Sequence, residues 1–236
     1  MRNGFSLVVI AAVIVAMVPS GANGGPINSD VAFTPREGGS ILRLQWGYAE
    51  LDAGRQVNGI RAIQARAAFI YGLRSNLALI LSAPYVRREV DRPLPRGRNV
   101  ERTFEGVGDL TVLAKYRFWQ RDYAPLHTAR WAALGGLSLR AGDSDLTSDS
   151  YDPLLGTVYT WRHDRHLVDA DLIYRLGTGR ESFRHDTVRY DLVWSYRLLP
   201  AAYASDSFFA LDFVAELNGS YVTDGSHEVF LAPGLQ

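Results

Sequence analysis

The chain has 236 residues, of which 47% are hydrophobic and 21% are charged, and its formal net charge is zero. This composition suits one domain with a sizeable core or one barrel, and neither charge is in the excess that would favour nucleic acid. Cysteine is absent, which excludes a disulfide framework, a zinc–thiolate site and a thiol nucleophile. Lys115 is the only lysine, so arginine supplies almost all of the positive charge.

The N-terminal segment, residues 1–22, has the pattern of a secretory signal peptide. Arg2 precedes an apolar run from Leu7 to Val18, and a small residue follows at Ala22. The pattern predicts cleavage after Ala22, because the apolar run is too short to span a membrane comfortably. A short membrane anchor is the alternative interpretation.

Residues 23–39 are expected to form an irregular lead, and residues 40–236 are expected to form a β-rich domain. Most of its segments alternate apolar and polar side chains, and a period of two is typical of a β-strand. The predicted strands cover approximately residues 40–51, 60–73, 77–87, 109–118, 129–140, 154–162, 168–176, 188–198, 209–218 and 227–236.

The connections between these strands are predicted from turn residues and charge. Pro84 should lie near a strand end or a bulge, because proline cannot donate to a β-ladder. Short turns are expected at residues 74–76 and 163–166. Longer connections are expected at residues 88–105, 120–128, 142–152 and 200–206.

The fourth predicted strand shows the property on which the fold class depends. One face carries Asp109, Lys115 and Arg117, whereas the other is wholly apolar and ends in Tyr116 and Phe118. A soluble sandwich buries its apolar face, but a membrane barrel turns that face to lipid around a polar lumen. Arginines and carboxylates recur on the polar faces of the other strands, and burying unpaired ions is costly. The pattern therefore favours a membrane barrel over a secreted soluble β-protein.

Aromatic side chains are predicted to lie near both sets of strand ends. One set comprises Phe69, Tyr71, Tyr116, Phe118 and Tyr196, and the opposite set comprises Tyr48, Tyr174, Tyr190 and Tyr221. Girdles at both interfaces are typical of outer-membrane barrels. The alternative explanation is that aromatic residues simply favour strands.

Several short motifs point to one protein family. Gly106-Val-Gly-Asp-Leu110 leads into Ala114-Lys-Tyr-Arg-Phe118, Ala83-Pro84-Tyr85 precedes them, and the chain closes on Pro233-Gly-Leu-Gln236. With a looser match at Leu139-Arg-Ala-Gly142, these residues resemble the outer-membrane proteins of the MetA-pathway of phenol degradation family. The resemblance implies a barrel of about a dozen strands and a role in uptake of phenolic or other small hydrophobic compounds.

The chain departs from this family at its end. Family members continue past the Pro-Gly-Leu-Gln stretch and end in an aromatic residue, whereas this chain stops inside a predicted strand at Gln236. An open sheet edge in lipid leaves backbone groups unsatisfied. We therefore expect an incomplete barrel that lacks about two strands, with a ten-stranded barrel as the alternative.

The polar strand faces supply the candidate functional residues. Rings of charge set the selectivity of pores, although paired ions could equally fill a narrow barrel that conducts nothing. The residues predicted to line the lumen are Arg43, Arg66, Asp109, Lys115, Arg117, Arg130, Arg140, Asp171, Arg175, Arg189, Asp191, Asp212 and Glu216.

Other candidate sites carry less specific patterns. The glycines before Asp109 open a strand, whereas a dinucleotide fingerprint needs a strand, a turn and a helix. His163 and His166 with Asp164 could bind a metal, but a charged tight turn is the expected structure. Four acids could bind calcium in an outer loop, but a solvated loop is expected; they are Asp143, Asp145, Asp149 and Asp152. A hydrolase would draw on His185 and His227 with Ser182 and Ser226, yet no motif joins these residues.

The sequence therefore predicts an all-β, antiparallel, up-and-down transmembrane β-barrel in the outer membrane of a Gram-negative bacterium. The expected role is passive passage of small aromatic or hydrophobic solutes, without catalytic residues, cofactor or metal. The alternatives are a structural or surface-interaction barrel with a plugged lumen and, less favoured, an outer-membrane hydrolase. The expected partners are outer-membrane lipid and the barrel-assembly machinery, with no nucleic acid.

Overall fold

The computed structural model describes residues 15–17, 30–51, 59–94, 98–143, 146–179, 185–200 and 210–235. The strands in these residues are β1 (Val15–Met17), β2 (Ser40–Leu51), β3 (Gly59–Arg74), β4 (Leu77–Leu94), β5 (Arg98–Val107), β6 (Leu110–Ala124), β7 (His127–Leu139), β8 (Asp152–His163), β9 (His166–Arg175), β10 (Thr187–Leu199), β11 (Leu211–Val222) and β12 (His227–Leu235). Apart from β1, the segment predicted to be the signal peptide lies outside the described residues. A helix long and apolar enough to cross a membrane does not occur among the described residues.

All of these strands belong to one antiparallel sheet. Its order is β1-β2-β3-β4-β6-β7-β8-β9-β10-β11-β12, and β5 pairs with β4 off this path. The sheet curls, since β2 and β3 line a common cavity with β10, β11 and β12 from the other end of the strand order. The predicted all-β, up-and-down fold is confirmed. The described strands form a single curled layer rather than the two stacked sheets of a sandwich.

The predicted long loop at residues 88–105 is wrong. β4 continues to Leu94 and β5 pairs back along it, so most of the segment is a β-hairpin. Charged residues occupy both faces of this hairpin, and the absence of an apolar face made the segment look like a loop. Pro84 lies within β4 where the partner changes, because β6 pairs only as far as Ser82 and β5 begins pairing at Tyr85. A residue without an N–H group fits a position where the ladder changes partner.

The predicted connection at residues 120–128 is also wrong. β6 runs to Ala124 and β7 begins at His127, which leaves a turn of Pro125 and Leu126. The turns between β3 and β4 and between β8 and β9 are equally short, as the sequence predicted. The connection from residue 140 to residue 151 is long, as expected, whereas most of the predicted connection at residues 200–206 lies outside the described residues.

Burial alternates along the strands with the charged face inside. In β10, Asp191 and Val193 are 4% and 1% exposed, whereas the intervening Leu192 is 49% exposed. The ladders fix this alternation, since Asp191 faces Asp171 in β9 while Leu192 faces Leu217 in β11. A shift of one residue would exchange the two faces. The sheet therefore has a polar inner face and an apolar outer face.

Candidate functional site on the inner face

The inner face carries ionic side chains that are almost fully covered. Each of the following is 4% exposed or less: Lys115, Asp169, Asp171, Asp191, Arg197 and Glu216. Burying so many charges is tolerated only when they pair with each other or retain water. Among the parts that the structure describes, the inner face is therefore the one whose stability depends most on how its charges are paired.

The structure distributes the residues predicted to line the lumen over three environments. Lys115, Asp171, Asp191 and Glu216 are buried. Arg140 is exposed at the rim, beside Asp149. The remaining predicted residues are half-buried, and they are Arg43, Arg66, Asp109, Arg117, Arg130, Arg175, Arg189 and Asp212.

Arg189 holds two facing carboxylates at the centre of the inner face. Asp171 in β9 and Asp191 in β10 are cross-strand partners, so their like charges lie side by side. The guanidinium of Arg189 places Nε 3.1 Å from Asp191 Oδ2 and Nη2 3.9 Å from Asp171 Oδ1. One arginine between two acids reduces their repulsion.

Several buried polar atoms near this cluster lack a hydrogen-bond partner among the described residues. They include Asp169 Oδ2, Asp171 Oδ1, Arg175 Nε and both polar side-chain atoms of Asn218. Buried polar groups in folded proteins almost always bond to protein or to water. Hydrogen bonds among the described residues therefore do not satisfy every polar group of the inner face.

A cavity of about 310 Å³ lies beside the charged cluster. Its wall includes Arg66, Arg189 and Asp191 together with the amides of Gln64 and Asn218, and Phe230 adds an aromatic ring. This volume is at the lower end of the range that holds small organic ligands, about 300–1,000 Å³. The cavity combines ionic, amide and aromatic groups in one space.

Residues 30–35, which we call the inner segment, lie against the inner face. The amide of Asp30 donates to Asp171 Oδ2 at 2.7 Å, and the amide of Ala32 donates to Thr160 Oγ1 at 2.9 Å. Ala32 is fully buried and packs in a cluster with Ala132, Leu134, Leu154, Val158 and Ile173. Within the described part of the predicted irregular lead, the inner segment thus lies in the interior, which the sequence pattern did not indicate.

Lys115 is the principal anchor of the inner segment. Its ammonium donates to Asp30 Oδ1 and to the carbonyl oxygen of Val31, both at 2.8 Å. The side chain of Lys115 is 1% exposed and that of Asp30 is 19% exposed. The only lysine in the chain therefore binds the inner segment.

The rest of the inner segment follows the inner face to the strand ends. Phe33 stacks under Arg130, whose guanidinium carbon lies 4.0 Å from the ring centroid. The hydroxyl of Thr34 donates to the carbonyl of Ser75 in the turn between β3 and β4, at 2.6 Å. Cation–π contacts and neutral hydrogen bonds each contribute about 0.5–2 kcal/mol, so several modest contacts support the lysine anchor.

The chain matches a known protein family. The model of the family described as MetA-pathway of phenol degradation matches residues 43–234, which is most of the chain. The chain belongs to this family. No curated protein sequence matches the chain.

The motif that carries the family resemblance has a structural role here. Gly106 has φ of 154°, and a Cβ at this position would lie 2.0 Å from Asp143 Oδ2. The same carboxylate accepts the amide of Val107 at 2.8 Å. Glycine is therefore required because Asp143 packs directly on the backbone.

Asp109 of the family motif fastens the connection between β7 and β8. Its carboxylate accepts the hydroxyls of Thr147 and Ser148, both at 2.6 Å, and the amide of Ser148 at 2.8 Å. Partial burial raises the pKa of Asp109, but these hydrogen bonds lower it by more, so its pKa lies below the ordinary value. The residue predicted to line a lumen thus serves to fix a loop.

Asp169, Arg197 and Asp30 also contribute charge to the inner face, but they were absent from the predicted set. Asp169 bonds Thr160, and Arg197 donates to the carbonyl of Asp164 at 2.8 Å. The alternation of side chains in β9 and β10 could have identified Asp169 and Arg197, because each lies on the same face as a predicted residue. Asp30 had no such signal, since the segment before β2 lacks any period.

The outer face carries an aromatic belt near the strand ends that meet at the short turns. Ring centroids lie 6.1 Å apart for Phe118 and Trp131 and 5.7 Å apart for Trp131 and Tyr159. A second group joins Trp194 to Phe213 at 6.0 Å. The tryptophans extend the set of aromatics that the sequence predicted for this end.

The other sequence candidates are committed to structural contacts. Asp149 pairs with Arg140, and Asp152 accepts the hydroxyl of Ser150 at 2.8 Å and the amide of Thr178 at 2.9 Å. His227 Nε2 lies 2.7 Å from the hydroxyl of Tyr190. Asp145 and Ser182 lie outside the described residues.

Proposed function

We propose that the protein is an outer-membrane β-barrel of a Gram-negative bacterium through which small solutes pass by diffusion. The observation that carries this proposal is the distribution of side chains, with ions on the buried face and large apolar groups on the exposed face. Exposed side chains such as Leu155 at 66% and Leu231 at 75% would form an unfavourable surface in water. Lipid around the outer face and water in the interior satisfy both faces.

The interior suits a small aromatic solute that bears a polar group. The cavity of about 310 Å³ offers an aromatic ring at Phe230 and hydrogen-bonding groups at Gln64, Arg66 and Asn218. The family description names phenol degradation, and a phenolic compound has this combination of ring and hydroxyl. Passage of such a solute needs no covalent chemistry and no cofactor.

The full-length protein folded into a planar lipid bilayer should conduct ions, because the proposed barrel has a polar interior that water can fill. We expect discrete conductance steps, and we expect folded protein in vesicles to admit a hydroxybenzoate, whose charge prevents its crossing lipid unaided. Current recording and vesicle uptake measure the two properties.

The control is the same protein left unfolded in detergent, which should produce neither effect. Passage of solutes would be contradicted if the folded wild type and the variants that release the inner segment all showed neither conductance nor uptake.

A barrel sealed by its own chain is a second candidate function, and the inner segment favours it. Asp30 and Ala32 bond the sheet from within the interior, and Thr34 bonds the turn between β3 and β4. A plug held in this way would leave a structural or surface-interaction barrel until it is displaced. The position of the inner segment is therefore the first point to establish.

A double variant, Ala32→Cys with Thr160→Cys, should form a disulfide in the folded protein. The amide of Ala32 lies 2.9 Å from Thr160 Oγ1, so the two residues are direct neighbours when the inner segment occupies the interior. The chain has no cysteine of its own, so any disulfide reports this pair alone. Thiol titration after mild oxidation measures the yield.

The matched control pairs Ala32→Cys with Tyr159→Cys, because Tyr159 precedes Thr160 and points to the outer face, where it packs on Trp131. Equal disulfide yields in the two double variants would show that the inner segment does not occupy the interior.

A further inference from the structure

Two histidines and an aspartate meet at one end of the sheet. His127 is the first residue of β7, His163 is the last residue of β8, and Asp164 begins the turn into β9. The ladder between β7 and β8 pairs Thr128 with Arg162, so the two histidines are the next cross-strand neighbours. Their rings stack with centroids 4.0 Å apart.

The ligand atoms lie near the spacing of a metal coordination shell. His127 Nε2 lies 2.6 Å from Asp164 Oδ1, and His163 Nδ1 lies 3.4 Å from Asp164 Oδ2. One ligand atom from each residue lies within 4.8 Å of the other two. Zinc binds imidazole nitrogen and carboxylate oxygen at about 2.0–2.2 Å, which puts tetrahedral ligand atoms roughly 3.3 Å apart. The observed distances bracket that value, and a cation would replace the proton that His127 and Asp164 share.

The ligands are presented by tight turns and remain accessible. Leu126, before His127, has φ of 64°, and Asp164 has φ of 51°, so both turns use the left-handed conformation. The side chains of His127, His163 and Asp164 are 25%, 50% and 63% exposed. Short turns between paired strands hold the ligands with little freedom, which lowers the entropy lost on binding a cation.

The neighbouring side chains of Arg165 and His166 bond other groups and do not compete with His127 and His163 for the carboxylate of Asp164. Arg165 directs its guanidinium away, donating to the carbonyls of Arg197 at 2.7 Å and Leu198 at 2.6 Å. His166 Nδ1 accepts from the indole of Trp194 at 3.2 Å.

We propose that His127, His163 and Asp164 bind a divalent first-row transition-metal ion such as Zn²⁺. Two imidazoles and one carboxylate suit this class of ion, and they leave a fourth position for water. The ion would join the turn after β6 to the turn after β8 at the rim. The prediction from the sequence grouped His163 with His166, because these residues are close in the chain. The pairing of β7 with β8 instead brings His127 to His163 and Asp164.

Titration of the folded full-length protein with Zn²⁺, without a polyhistidine tag, tests the proposal. We expect one zinc ion per chain. We expect His127→Ala, His163→Ala and Asp164→Asn each to weaken binding by at least about tenfold, a loss that follows even from removing a residue that only supports a ligand. Calorimetry measures affinity and stoichiometry, and the visible spectrum of bound Co²⁺ reports the coordination geometry.

The control is His227→Ala, since His227 is bonded to Tyr190 elsewhere on the rim and its loss should not affect zinc. Asparagine tolerates the left-handed conformation, so Asp164→Asn keeps the turn and carries the test if a histidine variant misfolds. Binding that is absent, or that is equal in His127→Ala, Asp164→Asn and His227→Ala, would overturn the metal site and leave a hydrogen bond between two turns.

Discussion

Lys115→Met should release the inner segment and raise the conductance of the barrel. The substitution removes the two hydrogen bonds from the ammonium to Asp30 and Val31. It also removes the ion-pair partner of the Asp30 carboxylate, which lies next to Asp171, whose own carboxylate accepts the amide of Asp30. Loss of a charged partner in such a site costs about 1–3 kcal/mol, which shifts the balance between seated and displaced segment by about 5–150-fold. Open probability in planar bilayers measures the shift.

Two controls separate release of the inner segment from general damage. Arg117→Met removes another cation from the inner face of β6, but one that bonds the turn at Ser75 instead of the inner segment. Adding Asp30→Asn to Lys115→Met removes the charge of Asp30, so the double variant should cost less than the sum of the single changes. An open probability that is the same in Lys115→Met, Arg117→Met and the wild type would show that Lys115 does not hold a plug.

Leu192→Arg should destabilise the folded barrel strongly in lipid. Leu192 is 49% exposed at the middle of β10, and its cross-strand neighbours Ala170 and Leu217 are apolar. Arginine on a lipid-facing position at the bilayer midplane costs about 2–4 kcal/mol. The same change on a face in contact with water would alter the free energy of unfolding by no more than about 0.5 kcal/mol. Unfolding from vesicles in urea, followed by gel mobility, gives the free energy.

Depth and packing need separate controls in this experiment. Leu192→Ala measures the packing lost without adding a charge. Tyr221→Arg places the same charge on the outer face near the turn after β11, where the cost of a cation falls to about 0–1 kcal/mol. If Leu192→Arg is no more destabilising than these two variants, the outer face does not contact lipid.

The two variants test opposite faces of one sheet. Lys115→Met bears on what fills the interior, and Leu192→Arg bears on what surrounds the exterior. A protein that fails the first test but passes the second would still be a membrane barrel, without a plug held by Lys115. A protein that fails the second would lose the basis for the proposed location.

The sequence predicted the strands that have one apolar and one charged face. In β6 and β10 the alternation was long enough to fix both the strand and its orientation, because a period of two assigns every side chain to a face. It failed at the hairpin of β4 and β5 and at the end of β6. The hairpin is polar on both sides, so no difference between faces marked it. Near the end of β6, register shifts at Arg117/Trp119 and Asp122/Ala124 interrupt the alternation.

The candidate site was predictable only where it lay on alternating strands. Asp171, Asp191 and Glu216 were predicted on the polar face, and the structure buries them. Asp109 shares that alternation, yet its carboxylate is occupied by Thr147 and Ser148, which are distant in sequence. Periodicity assigns a face to a residue but does not identify the partner that reaches it.

The sequence by itself determined that the chain is all-β, that its strands run up and down, and that charged and apolar residues occupy opposite faces. These properties are local, because each depends on residues within a few positions of one another. Only the tertiary structure decided that Lys115 anchors Asp30, that Ala32 fills a gap between Ala132 and Val158, and that His127 joins Asp164. Those contacts bring together residues far apart in the chain, and the curl of the whole sheet determines which of them meet.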